Sequence, residues 1–288
     1  MNIAPFGLRC AIAAALALSA TGCINSPSVE SPSKEAGMPE DPNVRRTIKG
    51  HTYTTEPVEA TVGPHRFMFP ANYYDNQIGP YFDGSVGLTL LWPDLGPALP
   101  GTRPDRSMED FQRSVVIGLQ HIDRTPIRGL LERYTSTEQT STPTSVLRND
   151  PTERLDLRIP QPERFGLVPY AINDALMPAF QKALEQETQM PQPRNLRMEK
   201  DWYVARNGEG ELTTFIECES EAHFPDGLTL SGNRLRDTED GRVAGCTHYF
   251  VDVEDSIAIT ATYPRVILKD WKKIESAVRT SLSRYKKS

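Results

Sequence analysis

The sequence predicts an α+β protein: antiparallel sheets with a C-terminal amphipathic helix packed on one face, laid out as an amino-terminal part, 51–164, and a carboxy-terminal part, 165–288. Three observations predict it. Short runs with period-two alternation and β-branched residues, punctuated by Pro and Gly, recur across residues 52–263. Leu268, Trp271, Ile274, Val278 and Leu282 recur at three- and four-residue spacing, while Lys272, Lys273, Glu275, Arg279 and Arg284 fall elsewhere on the same helix. A helix with one apolar stripe must bury it, and a sheet is the surface this chain offers.

Along the chain, strands are expected over 52–62, 65–69, 86–92, 114–122 and 155–159. Pro93, Gly96, Pro97, Pro100 and Gly101 make the stretch after the third run turn or extended loop. A short helix fits 126–134, with Pro126 in its first turn and Leu130 and Leu131 facing inward. Residues 138–150, rich in Thr and Ser, read as surface loop. In the second part, 166–173 reads as extended and 174–188 as a helix capped by Asn173, which Pro191 and Pro193 end. The plainest hairpin runs 201–206, turns at Asn207-Gly208-Glu209-Gly210, and returns over 211–218. A further strand pair, 246–253 and 256–263, precedes a terminal helix over 268–285.

The first 22 residues have the layout of a signal peptide: Arg9, an apolar run over 11–20, then Ala20, Thr21 and Gly22 directly before Cys23. That run is well short of the roughly 20 residues that span a bilayer. The tripeptide before Cys23 resembles a bacterial lipobox, with Ala20 where Leu is more usual. This resemblance implies cleavage before Cys23 and acylation of its thiol and new amino terminus. Residues 23–50, rich in Ser, Pro and Glu, then read as a flexible tether. More than one acyl chain anchors a protein stably at a membrane. Ile24 and Asn25 stand where the enterobacterial sorting rule would place a retaining Asp, so the expected location is the periplasmic face of the outer membrane.

The net charge is −6, with no long basic run and no interleaved basic and aromatic stretch, which argues against nucleic acid as a partner. Once Cys10 leaves with the signal and Cys23 takes the lipid, Cys218 and Cys246 remain as an even pair in an oxidising compartment. A disulfide is the default for such a pair. The alternative is a metal site of Cys218, His223, Cys246 and His248, but its spacing lacks the paired C-x2-C signature and oxidation competes with it.

No catalytic motif stands out. The nearest approach to a nucleophile elbow, Asp83-Gly84-Ser85-Val86-Gly87, has Asp where the first Gly belongs, and reads as a turn into a strand. Asp237-Thr238-Glu239-Asp240-Gly241 is out of register with a calcium loop. The sequence therefore favours a binding protein over an enzyme, with no cofactor and no metal.

Three segments carry a family resemblance: "DWYVARNGEGELTTFIECE" (201–219), "GCTHYF" (245–250) and "YPRVILKDWKKIESAV" (263–278). Together with "HRFMFPANYYDNQ" (65–77) and "LLWPDLGPALPG" (90–101), they resemble the periplasmic immunity lipoproteins of type VI secretion lipase effectors. That resemblance implies a protein that binds and blocks a cognate antibacterial effector. A structural or assembly lipoprotein of the outer membrane, with no inhibitory activity, is the alternative. An inhibitor commonly inserts a projecting element into its target. The acidic segment between the two cysteines, with Glu219, Glu221, Asp226, Asp237, Glu239 and Asp240, is the candidate partner-binding loop; an ordinary surface loop held by a stabilising disulfide is the other reading.

Overall fold

The computed structural model describes residues 44–238 and 241–287. The expected signal, Cys23 and the expected tether up to residue 43 lie outside the described residues, as do Glu239 and Asp240.

Two hairpins come first: β1 (Arg46–Ile48) with β2 (His51–Tyr53), and β3 (Pro57–Val62) with β4 (His65–Pro70). β1 falls within residues assigned to the tether, so ordered strand begins earlier than expected. The single strand expected over 52–62 is broken after Tyr53. The Thr54 hydroxyl accepts the Glu56 N–H at 3.2 Å in a local turn, and Pro57 holds the preceding residue away from helical geometry while restarting the extended chain.

Eight further strands form one antiparallel sheet: β5 (Val86–Leu91), β6 (Ser114–His121), β7 (Ile159–Pro160), β8 (Val168–Ala171), β9 (Lys200–Arg206), β10 (Leu212–Glu219), and, after a small hairpin of β11 (Leu228–Ser231) and β12 (Arg234–Asp237), β13 (Gly245–Asp252) and β14 (Ile257–Pro264). Their order is β5-β6-β14-β13-β10-β9-β8-β7. Strands from 51–164 and from 165–288 are thus hydrogen-bonded to one another, β6 against β14.

The strand expected over 155–159 is mostly absent. Leu155–Leu157 is a 3-10 turn, closed where Arg154 donates to the carboxylate of Asp156 two residues on, and only Ile159 and Pro160 pair with β8. α1 (Met108–Gln112) is capped by Ser107, whose hydroxyl accepts the Asp110 N–H at 3.0 Å. α2 (Leu130–Tyr134) buries Leu130 and Leu131 as the sequence predicts. α3 (Met177–Thr188) starts later than expected, because Asn173 closes a turn onto the Ala175 N–H instead of capping the helix. α4 (Trp271–Tyr285), preceded by a 3-10 segment Arg265–Asp270, buries the predicted stripe.

Alternation divides the sheet into two faces. Leu88 and Leu90 of β5, Ile117 and Leu119 of β6, Ile259 of β14, Phe250 of β13 and Ile216 of β10 pack with Trp271, Ile274, Val278 and Leu282 of α4 and with Phe67 and Phe69 of β4. Burying each of the four α4 side chains stabilises by about 1.5–3 kcal/mol. Indole N–H groups fix the helix at its start: Trp92 donates to Asp270 Oδ2 and Trp271 to the Phe165 carbonyl, both at 2.9 Å. On the other face, Trp202, Val204, Phe215, Val251 and Ala258 pack beneath α2 and Leu155. This cover does not extend across β5 and β6, where Gly87, Val116, Gly118 and Gln120 of the same face are not buried.

Candidate functional site

Cys218 and Cys246 are directly opposite one another on β10 and β13, and they form the predicted disulfide, with Cα atoms 4.0 Å apart. The alternative metal set does not assemble. His248 lies under α4 and His223 sits 3.9 Å from Glu199, and among the described residues no group of His, Cys, Asp and Glu could hold a metal ion.

The acidic segment that the disulfide pins contains a short hairpin, β11 with β12. Leu228 and Leu235, on β11 and β12, are buried in the main core. Gly227, at φ +68°, passes so close to the Arg242 carbonyl that a Cβ there would sit 1.6 Å from its oxygen. Each described acid has a partner within the chain. Glu219 accepts the Gly245 N–H at 2.8 Å, Glu221 pairs with Arg164 at 2.7 Å, and Asp237 accepts from the Gln112 side chain. Asp226 pairs at 2.7 Å with Arg265, a buried guanidinium that also donates to the carbonyls of Glu219 and Phe224. Glu239 and Asp240 lie outside the described residues.

Between the sheet and α4 lies a buried polar cluster. His248 Nε2 is 3.0 Å from Glu275 Oε1, which also accepts the Thr214 hydroxyl at 2.6 Å, and His248 Nδ1 is 3.2 Å from the Tyr263 hydroxyl. Burial pushes the imidazole below its ordinary pKa, against the pull of Glu275. Burial, the largest single influence on Glu275, pushes its carboxyl up, but the hydrogen bonds from His248 and Thr214, with the charge of Arg279, together hold it below its ordinary value. A neutral imidazole donating from Nε2 to the carboxylate and accepting at Nδ1 from Tyr263 satisfies every group. The cluster is enclosed, so its work is to lock α4 onto the sheet.

The open part of the second face is a trough of 550 Å³ lined by Asp75, Tyr81, Val116, Gly118, Tyr134 and Thr260, among others. Its floor is set by register: Gly87 stands opposite Gly118, and Gly118 opposite Thr260. Above Gly118 nothing lies within 4 Å of where a Cβ would be. Tyr81 lies over Gly87, its ring 3.1 Å from where a Cβ would be and its hydroxyl donating to Asp75, and Tyr134 lines another part of the trough. The Asp83-Gly84-Ser85 stretch is the turn the sequence predicts, and it presents Phe82 entirely to solvent. None of these residues stands out as a binding site in the sequence, where Asp83-Gly84-Ser85-Val86-Gly87 reads as a turn into a strand. One signal was available: Val116 is an apolar residue on the polar side of the β6 alternation.

No family model and no curated protein matches the chain. Among solved structures it is similar to Smlt3025, described as an immunity protein of the Stenotrophomonas maltophilia type IV secretion system. The two share 41% identity, with a TM-score of 0.78 over 84% of this chain and 98% of that one. The chain belongs to the family of that immunity protein. The family is one of immunity proteins, as the resemblance implies. The secretion system named for the relative is type IV, whereas the resemblance pointed to type VI, and its description does not mention a lipase.

Proposed function

We propose that the protein is an immunity protein that binds a cognate antibacterial effector and blocks it, protecting the cell that makes both. The observation that carries this reading is the 41% identity, over nearly the whole of the relative, to an immunity protein of a type IV secretion system. That relative supports a type IV apparatus as the effector's route. The lipase activity of the effector, and a type VI route, rest on the sequence resemblance alone. Inhibition by occlusion needs no catalytic group in the inhibitor. A lipid on Cys23 would hold the protein on the periplasmic face of the outer membrane, where an incoming effector is met. This location is read from the lipobox resemblance.

Deletion of the gene tests the reading. Cells without it are expected to be killed in contact with their parent, to survive contact with a parent lacking the neighbouring effector gene, and to regain resistance when the protein is restored. Undiminished survival of the deletion strain beside an effector-producing parent would rule the function out. Fatty-acid labelling that is equal in wild type and Cys23→Ser would remove the anchor from Cys23.

A further inference from the structure

We infer that a cavity on the second face of the sheet, between α3 and the strands β9 and β10, receives a lysine or arginine side chain of the effector. The inference rests on the immunity reading and adds to it the place and the chemistry of one contact.

The cavity exists because α3 is not fitted into the sheet. Met177, Phe180 and Leu184 follow one another at helical spacing along one side of α3, yet neither Met177 nor Phe180 joins the two apolar clusters on the faces of the sheet. The helix packs instead on the 3-10 turn Val146–Asn149, and a space of 340 Å³ is left beside its apolar side. Leu184, Met198 and Trp202 share its lining with two carboxylates, Glu153 and Glu217, of which Glu217 stands opposite Trp202 in the register of β10 with β9. A concave site with apolar walls and a few convergent charges is built for a ligand.

The charges of the lining do not cancel. Arg194 is held by Glu199 and by Asp174, the latter at 2.8 Å, and Lys200 reaches to within 4.0 Å of Glu219. Glu217 receives the Tyr249 hydroxyl at 3.0 Å but no cation, and the Glu153 carboxylate has neither hydrogen bond nor ion pair among the described residues. Arg158, the cation whose charge draws on Glu153, is engaged by the carbonyls of Thr152, Tyr170 and Lys200 and lies over the Trp202 ring. Burial first, and then the charges of Asp150 and Glu217, raise the Glu153 carboxyl above its ordinary pKa against the pull of Arg158. The fold therefore holds a negative charge there at a cost, and an arriving ammonium or guanidinium relieves it. Glu153 is exposed, so such a group can reach it.

A long basic side chain suits both parts of this lining, its methylenes against Leu184 and Met198 and its charged head at the carboxylates. An anion finds no free cation, since Arg194 and Lys200 are already engaged. A small free amine would leave the surroundings uncovered. Met198 is 70% exposed, and Leu176 and Leu196, each close in sequence to lining residues, are exposed as well. Apolar side chains around an anchor pocket exclude water when a partner protein covers them.

The test uses the purified effector and, as a probe of the cavity alone, Nα-acetyl-lysine N-methylamide beside its uncharged norleucine analogue. The lysine compound is expected to shift the methyl resonances of Met177 and Met198 saturably, the norleucine compound to leave them in place, and the effector to displace the lysine compound. Glu153→Gln and Glu217→Gln, the second keeping an acceptor for Tyr249, are each expected to weaken effector binding at least tenfold and to reduce its dependence on salt. Glu153→Gln should also raise the thermal midpoint at neutral pH, because it removes a charge that the fold disfavours, so its weaker binding is not a loss of folding. Wild-type affinity in both folded variants overturns the contact while the immunity reading stands. A lysine compound that stays bound while the effector binds would give the cavity to a free amine and overturn the effector as its occupant. Equal shifts by the two compounds would overturn the selection of charge. A wild type that binds no effector overturns the immunity reading and the contact with it.

Discussion

At the scale of single residues, the cluster beneath α4 sets how the protein responds to acid. His248 has its folded pKa below the ordinary value of 6.5, so as pH falls through that value the unfolded chain takes up a proton that the folded one refuses, and stability declines. Glu275 acts in the same direction lower down: its folded pKa lies below 4.5, so its contribution is lost as pH falls through that value and beyond. The thermal midpoint is therefore expected to drop steadily as the pH falls from about 7. His248→Gln, which keeps a donor toward Glu275 but cannot titrate, should flatten the upper part of that slope; an unchanged slope would remove His248 as its source. Glu275→Ala leaves both Thr214 Oγ1 and His248 Nε2 without their acceptor and is expected to cost about 2–4 kcal/mol in a denaturant titration. Nothing in the sequence paired these residues. Glu275 reads there as part of the helix's polar side, and only the register of β10 with β13, which places Ile216 beside His248, brings the strands under it.

Among the elements, the disulfide joins two strands that already pair, and its largest effect is on the chain between them. Closing a 28-residue separation removes freedom from the unfolded state worth about 3–4 kcal/mol. Cys218→Ser combined with Cys246→Ser should lose roughly that amount, with hydrogen exchange rising first over β11 and β12. Loss of stability without faster exchange there would mean that Leu228, Leu235 and the Asp226–Arg265 pair hold the hairpin unaided. Elements with a strong period were legible. α4 shows its stripe over four turns, and β9 and β10 alternate on both sides of an Asn-Gly turn. The β11–β12 hairpin was not legible, since its two inward leucines are separated by a turn and surrounded by polar residues. Nor was the trough, because its floor comes from Gly87, Gly118 and Thr260, which only the sheet order makes neighbours.

For the molecule as a whole, the interleaving of early and late strands predicts one cooperative transition. Trp92 lies before residue 165 and Trp202 after it, and both are buried beside the same sheet. Fluorescence of single-tryptophan variants reporting on each should melt at the same temperature. Separate transitions would mean that 51–164 and 165–288 fold as distinct units. Removing residues 265–288 strips the cover from one face of the sheet and should abolish folding outright, read as loss of dispersed methyl resonances. The pairing of β6 with β14 also has a consequence in time. Of the sheet's strands, β6 has only β5 beside it until the segment Ile257–Pro264 has been made, and pairing across so long an interval is slow. The edge formed by β5 and β6 therefore stays incompletely paired until the end of synthesis. That is the form in which proteases and chaperones engage a polypeptide, so the topology that makes one cooperative sheet also lengthens the chain's exposure to both before it closes.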